Sequence, residues 1–154
     1  MSRSLTWLVD DYNQLDVPKL YNILHLRVNV FVVEQDVAYL DIDNKDQKAV
    51  HVQAYLDNEL VAYCRLFKAG DYFDQASIGR VVVATKHRTS GYGHQLMHQA
   101  ISLQESMFNE TSITISAQLY LKQFYESHGF NQTSETYLED GIPHIEMKYN
   151  KLSK

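Results

Sequence analysis

Cysteine is almost absent from this chain: a single one, Cys64, occurs in 154 residues. An internal disulfide framework is therefore excluded, and a reducing compartment is expected. Long hydrophobic runs are missing as well. No stretch approaches the ~18 apolar residues that a membrane helix needs. The opening residues, MSRSLTWLVDDYNQ, lack the apolar core of a secretory signal because Asp10 and Asp11 arrive too soon. The expected location is the cytoplasm, with no membrane partner. Positive charge is also short, and the net charge of −5 gives no surface for nucleic acid. It favours cationic partners instead, protonated amines among them.

What is present is ordinary for a globular domain, with 45% apolar and 21% charged residues. There is no repeat, low-complexity tract or linker, so residues 1–154 are read as one domain. Leu5–Val9 reads as a strand. Asp16-Val17-Pro18 is a helix start, and Leu20, Ile23, Leu24, Arg27 and Phe31 then recur at helical spacing. Residues 34–47 look like a polar, acidic loop. Val50, Val52, Ala54 and Leu56 alternate with His51, Gln53 and Tyr55, the pattern of a strand with one buried face. A turn at Asp57-Asn58-Glu59 leads to a second strand, Leu60–Phe67. Ile78–Ala84 is almost continuously apolar and reads as a central strand covered on both faces. Gly91 opens a helix, Ile113–Ser116 is a short strand, and Leu119–His128 is a helix closed by Gly129. Two last strands flank Glu139-Asp140-Gly141. The order β-α-β-β-β-α-β-α-β-β predicts an α/β (α+β) domain with a mixed, mostly antiparallel twisted sheet and flanking helices. The final strand, ending in Tyr149, offers an edge for a homodimer.

The chemistry is concentrated in Val81 to Gly93, VVVATKHRTSGYG. An apolar strand runs through Arg88, Thr89, Ser90, Gly91, Tyr92 and Gly93 into an amphipathic helix. The first turn of a helix has unpaired N–H groups and a positive dipole end, and glycine lets an anion approach the backbone. The expected ligand is a pyrophosphate, with Arg88 adding charge through its side chain or a donor through its backbone. A Walker loop is excluded because no Gly-Lys-Ser/Thr follows, and a dinucleotide fingerprint because Leu96 stands where a third glycine belongs. Taken alone, Gly91 and Gly93 fit a plain strand-to-helix turn equally well.

Arg88-x-x-Gly91-x-Gly93 after a strand resembles the signature of the GNAT superfamily of acyltransferases. Gln118 to Phe130, with Phe124-Tyr125-x-x-x-Gly129-Phe130, is similar to the second motif of that superfamily. Within it, Arg27–Gln35 and Glu139–Ile145 resemble stretches typical of the ElaA group. The resemblance implies the GNAT fold, acetyl-CoA as cosubstrate without a metal, and transfer of acetyl to an amine acceptor. It places pyrophosphate on the backbone of Arg88 to Gly93, and the pantetheine arm along Val81 and Val83, where two strands splay apart. It also implies Tyr125 as proton donor to the leaving thiolate, although 121, 124, 125 and 128 equally form an apolar helical face.

The base is open. Glu34 stands near a helix end, where the dipole disfavours its charge, and is a candidate. An ion pair with Arg27 is the favoured alternative for it, because Arg27 falls on an apolar stripe and needs a carboxylate there. His144 is the second candidate. His51 and His128 carry less weight, and an ordered water would serve as well. The acidic run Asp36, Asp41, Asp43, Asp46 is no calcium loop: counted from Asp41, glycine and glutamate are due where Asp46 and Val52 stand. It reads as a solvated loop or as a rim attracting a cationic acceptor. Cys64 reads as a buried small residue. Two other functions compete: an acyl-CoA-binding module without catalysis, and an acyl-homoserine-lactone-type synthase, for which no basic docking patch is evident.

Overall fold

The computed structural model describes residues 4–151. Strand β1 (Thr6–Asp11) is followed by helix α1 (Val17–Arg27), whose start is capped by the Asp16 carboxylate accepting the Lys19 amide at 2.8 Å. The helix does not stop at the β-branched run. Val28–Glu34 continues it in wider turns, with amides reaching back five residues, as from Gln35 to the Val30 carbonyl at 3.1 Å. Such turns are uncommon and occur mostly at functional sites. Strands β2 (Val50–Leu56), β3 (Glu59–Phe67) and β4 (Ser77–Val83) follow, then helix α2 (Tyr92–Phe108) and strand β5 (Ser112–Gln118). The short helix α3 (Lys122–Glu126) and strands β6 (Phe130–Gln132), β7 (Tyr137–Glu139) and β8 (Ile142–Asn150) complete the chain. Among the described residues no helix is long and apolar enough to cross a membrane.

Two antiparallel sheets result, β1-β2-β3-β4 and β5-β8-β6, with β7 also paired to β8. They meet at one parallel bridge, Ala76 to Ile113, where the Thr114 amide donates to the Ala76 carbonyl at 2.8 Å. The Gln104 side chain of α2 reinforces that junction by donating to the Ser77 carbonyl at 2.8 Å. Beyond it, β4 and β5 part company. The main core fills the space between the sheets and α2, from Val52, Cys64 and Leu66 through Leu96 and Met97 to Ile115 and Ile145. On the opposite face of the first sheet, Ile23, Leu26 and Val30 pack against Leu60, Tyr63 and Val82.

Covering both faces changes several expectations. His51 and Gln53 are not the solvent face of β2. They are fully buried beneath α1 and the acidic loop, each with partners: His51 with the Tyr63 hydroxyl (2.7 Å) and the Asp46 carbonyl (2.9 Å), Gln53 with Asp10 (2.8 Å). β4 is not central either. It is the edge of its sheet, with Val81 and Val83 only half-buried. A three-residue strand, β6, is an addition to the expected order. β8 lies inside the second sheet, and Tyr149 is already opposite both Ile113 and Phe130. The edge expected there for a homodimer is therefore occupied within the chain.

The largest correction concerns the acidic loop, which is not simply solvated. Asp41 and Asp46 are buried, 3% and 5% exposed, beside Arg27 at 0% and Arg65 at 1%. Arg27 donates from Nε to Asp41 (2.9 Å) and from Nη1 to Asp46 (2.8 Å), so its partner is not Glu34. Arg65 joins the same Asp46 oxygen at 2.7 Å and Asp43 at 2.5 Å. Arg80 closes the set on Asp41 at 2.8 Å. With Asp41 engaged in this way, it is no rim for a cationic acceptor. Burial works against the Asp43 carboxylate, but Arg65 and Arg80 outweigh it and hold its pKa at about 2. Removing one partner of a buried ion pair leaves the others uncompensated, at a cost of ~3–5 kcal/mol. Arg27→Ala should lose stability of about that size in urea unfolding. A loss below ~1 kcal/mol, the range of an exposed pair, would show that the network is not buried in solution.

Candidate active site in the cleft between the two sheets

Because β4 and β5 diverge, a cavity of about 460 Å³ opens between them. Its walls come from both strands, from the wide-turn segment after α1, from the start of α2, from α3 and from the β7–β8 turn. The Ala84 amide donates to the Val61 carbonyl, so Val82 also directs its backbone toward β3. Strand backbones alternate direction, so Val81 and Val83 point theirs toward the opening. Arg80 takes a left-handed φ of 49°, and the β3–β4 register shifts at this bulge. The wall of the cleft thus carries backbone hydrogen-bonding groups that no strand covers.

Residues 85–90 form a tight helical turn ending at Gly91, whose φ of 77° is left-handed. Gly91 is needed for that conformation rather than for space, since a Cβ there would meet nothing within 4 Å. Helix α2 starts at Tyr92 with no side-chain cap, which leaves its first-turn amides open. Arg88, Gly91 and Gly93 line the cavity together with Val81 and Val83. Thr89 and Ser90 are exposed and are not part of its wall, while the Tyr92 side chain is buried against Leu56 and Val61. The Arg88 side chain is already engaged. Its Nη1 and Nη2 grip the two oxygens of Glu34, Nη2 at 2.9 Å, and its Nε donates to the Val83 carbonyl at 3.2 Å. The two bonds from Arg88, with a third from the Thr85 hydroxyl, hold the Glu34 carboxyl below its ordinary pKa. A carboxylate held in that way is a weak base.

Tyr125 is buried at the cavity wall, and its hydroxyl has no hydrogen-bond partner among the described residues. Burial raises its phenol above the ordinary value, so it stays protonated at neutral pH. Cys64 is fully buried, and desolvation pushes its thiol up and out of nucleophilic use. His144 also lines the cavity, nearly buried, whereas His51 is a partner within the buried network. Glu139, Ser116 and Arg80 belong to the walls too, and composition or spacing gave no sign of them. The Glu139-Asp140-Gly141 segment read as a turn, which it is, and the turn carries Glu139 into the cleft.

A match to the acetyltransferase (GNAT) domain model extends over residues 9–151. The chain belongs to the GNAT acetyltransferase family. It is 43% identical over 147 residues to a UPF0039 protein of Schizosaccharomyces pombe, covering 94% of this chain and 97% of that one. It is 39% identical over 145 residues to Protein ElaA of Escherichia coli, covering 93% and 95%. Among solved structures, an acyl-CoA N-acyltransferase from Pseudomonas aeruginosa superposes with a TM-score of 0.90 at 40% identity, covering 95% of this chain and 99% of that one. The expected GNAT fold and the likeness to ElaA are thus both found.

On the flank of the GNAT cleft, His94 and His128 pack against Phe124, and His98 meets the His128 ring edge-on. His94 Nδ1 lies 2.8 Å from His128 Nε2, so one ring donates and the other accepts, and both cannot be fully protonated. Desolvation, then His94 and His98, lowers the His128 pKa from 6.5 to about 4. Burial lowers His51 in the same direction. The folded state therefore binds fewer protons than the unfolded chain between those values, and stability falls as pH drops from 6.5 toward 4. Asp43 acts only below that window. The thermal midpoint should decline between pH 6.5 and 4.5, and His128→Asn should flatten the decline. An unchanged slope in the variant would remove His128 from this linkage.

Proposed function

We propose that the protein transfers the acetyl group of acetyl-CoA to a primary amine of a small molecule or protein, by direct attack on the thioester. The observation that carries this reading is the cleft itself: an uncapped helix start at one end, a free strand edge along its wall, and further in a tyrosine whose hydroxyl has no hydrogen-bond partner among the described residues. The backbone N–H groups from Arg88 to Gly93, in the turn that leads into α2, would hold the pyrophosphate together with the positive helix end. The amide-bearing pantetheine arm would then pair with the exposed backbone of Val81 and Val83 as an added strand. The residues fit the cosubstrate on the structure's own terms, since the edge of β4 that faces the cleft has no strand partner. A crystal structure of another GNAT acetyltransferase, from Elizabethkingia anophelis, has acetyl-CoA bound.

In this arrangement Tyr125 serves the departing sulfur. Its raised phenol remains a donor, and hydrogen-bonding to a developing thiolate in a dry site stabilises the charge where it appears. The proton passes to sulfur as the C–S bond breaks and the thiolate forms beside the phenol. Tyr125→Phe removes that donor and leaves the walls intact. Turnover should fall by roughly 10²-fold, while coenzyme A binding by calorimetry changes by less than about twofold. Equal turnover in the two proteins would take Tyr125 out of the mechanism. Tight coenzyme A binding with no thiol release toward any amine would instead favour a sensor without catalysis.

A further inference from the structure

Three side chains from three strands of the second sheet converge on the cavity wall, Ser116 of β5, Glu139 of β7 and His144 of β8, with Tyr137 of β7 against them. His144 Nδ1 lies 2.7 Å from the Ile142 carbonyl, which can only accept, so Nδ1 carries the hydrogen. A neutral ring then presents its lone pair at Nε2. That atom lies 3.4 Å from a Glu139 carboxylate oxygen. With the ring neutral these are two acceptors side by side, both within reach of one ammonium; with it protonated, Nε2 donates to the carboxylate. The other Glu139 oxygen is fixed by the Ser116 hydroxyl at 3.2 Å, itself 2.6 Å from the Tyr137 hydroxyl. Tyr137 also stacks on the His144 ring, with centroids 6.2 Å apart. The pair is therefore held from both sides. Glu34, the carboxylate on the facing wall, is neutralised by Arg88, whereas Glu139 has no arginine or lysine partner among the described residues.

We propose that Glu139 and His144 form the subsite for the acceptor amine, with Glu139 docking its ammonium and His144 Nε2 taking its first proton. This rests on the acetyl-transfer reading and names the acceptor class as an amine that arrives cationic. The ammonium yields one proton to Nε2 and becomes a nucleophile. As the C–N bond forms and the C–S bond breaks, sulfur takes the Tyr125 proton, and the second amine proton restores the phenol. His144 releases its proton to solvent, so the sum is amide, thiol and one proton.

The test uses the full chain with acetyl-CoA and three amines: 1,4-diaminobutane, glycinamide and a hexapeptide with a free N-terminus, followed by thiol release. Glu139→Gln should raise KM for the accepted amine about tenfold or more, the loss of a hydrogen bond to a charged group. KM for acetyl-CoA should stay within about twofold, and Glu139→Asp should recover part of the loss. His144→Ala should lower kcat by roughly 10²-fold, with partial rescue by imidazole in the buffer, which a merely structural histidine would not show. Glu139 is half-exposed, so its variants decide the question even where His144→Ala fails to fold. Unchanged amine KM in Glu139→Gln overturns the proposal, as does a folded His144→Ala that imidazole does not rescue. Thiol release from the wild type whose amine KM does not move in Glu139→Gln overturns the ammonium docking alone. A wild-type protein that binds acetyl-CoA and releases thiol with none of the three, or that fails to bind acetyl-CoA, overturns the parent reading.

Discussion

The loop between α1 and β2 rests on one buried carboxylate, Asp46, shared by two arginines. Arg27 comes from the end of α1 and Arg65 from the middle of β3, and both reach the same oxygen of Asp46. Three arginines and three aspartates balance within the network, so no net charge is left in the interior. That balance matters more than the number of bonds, because a lone buried ion is far more costly than a matched set is stabilising. Its consequence is positional. The loop that holds the three aspartates is drawn down onto the sheet, and Arg80, the residue at the β4 bulge, is gripped by Asp41 from that loop.

The other end of the cleft is governed by a second kind of constraint. Gly91 supplies a left-handed turn, and α2 begins at once, so backbone amides rather than a capping side chain face the cleft there. The arginine next to it does not reach outward. It crosses the cleft to Glu34 and ties the wide-turn segment to the start of α2. The same cavity therefore has an end built of amides and a wall of valines, with the histidine and its carboxylate set across from them on the second sheet. These parts suit, in turn, a diphosphate, an apolar arm with amides, and a cationic nitrogen.

Much of the fold was legible because its signals are local. Asp16 with Pro18 marked the start of α1, the alternation at Val50–Leu56 marked a strand, and Asp140-Gly141 marked the last hairpin. The spacing of Arg88, Gly91 and Gly93 did the same for the turn into α2. What escaped depends on partners distant along the chain. Arg27 on an apolar stripe demanded a carboxylate, and the demand was sound. The nearest carboxylate on its helix was the wrong one, since the partners lie 14 and 19 residues further on. Acidic residues in a loop look solvated until the arginines beneath them are known. Glu139 was hidden by its own turn, because Asp-Gly pairs signal chain reversal and say nothing of where the preceding side chain points. A strand as short as Phe130–Gln132 has too little periodicity to be seen.

The junction at Ala76 and Ile113 has a mechanical side. Two sheets that share one bridge, backed by the amide of Gln104, behave as leaves on a pin. Spreading the leaves at the far end breaks no ladder within either sheet, so backbone hydrogen bonding places little resistance against a wider opening. The width of the cleft is then left to the side chains that line it, Phe124, Leu121 and Phe31 among them.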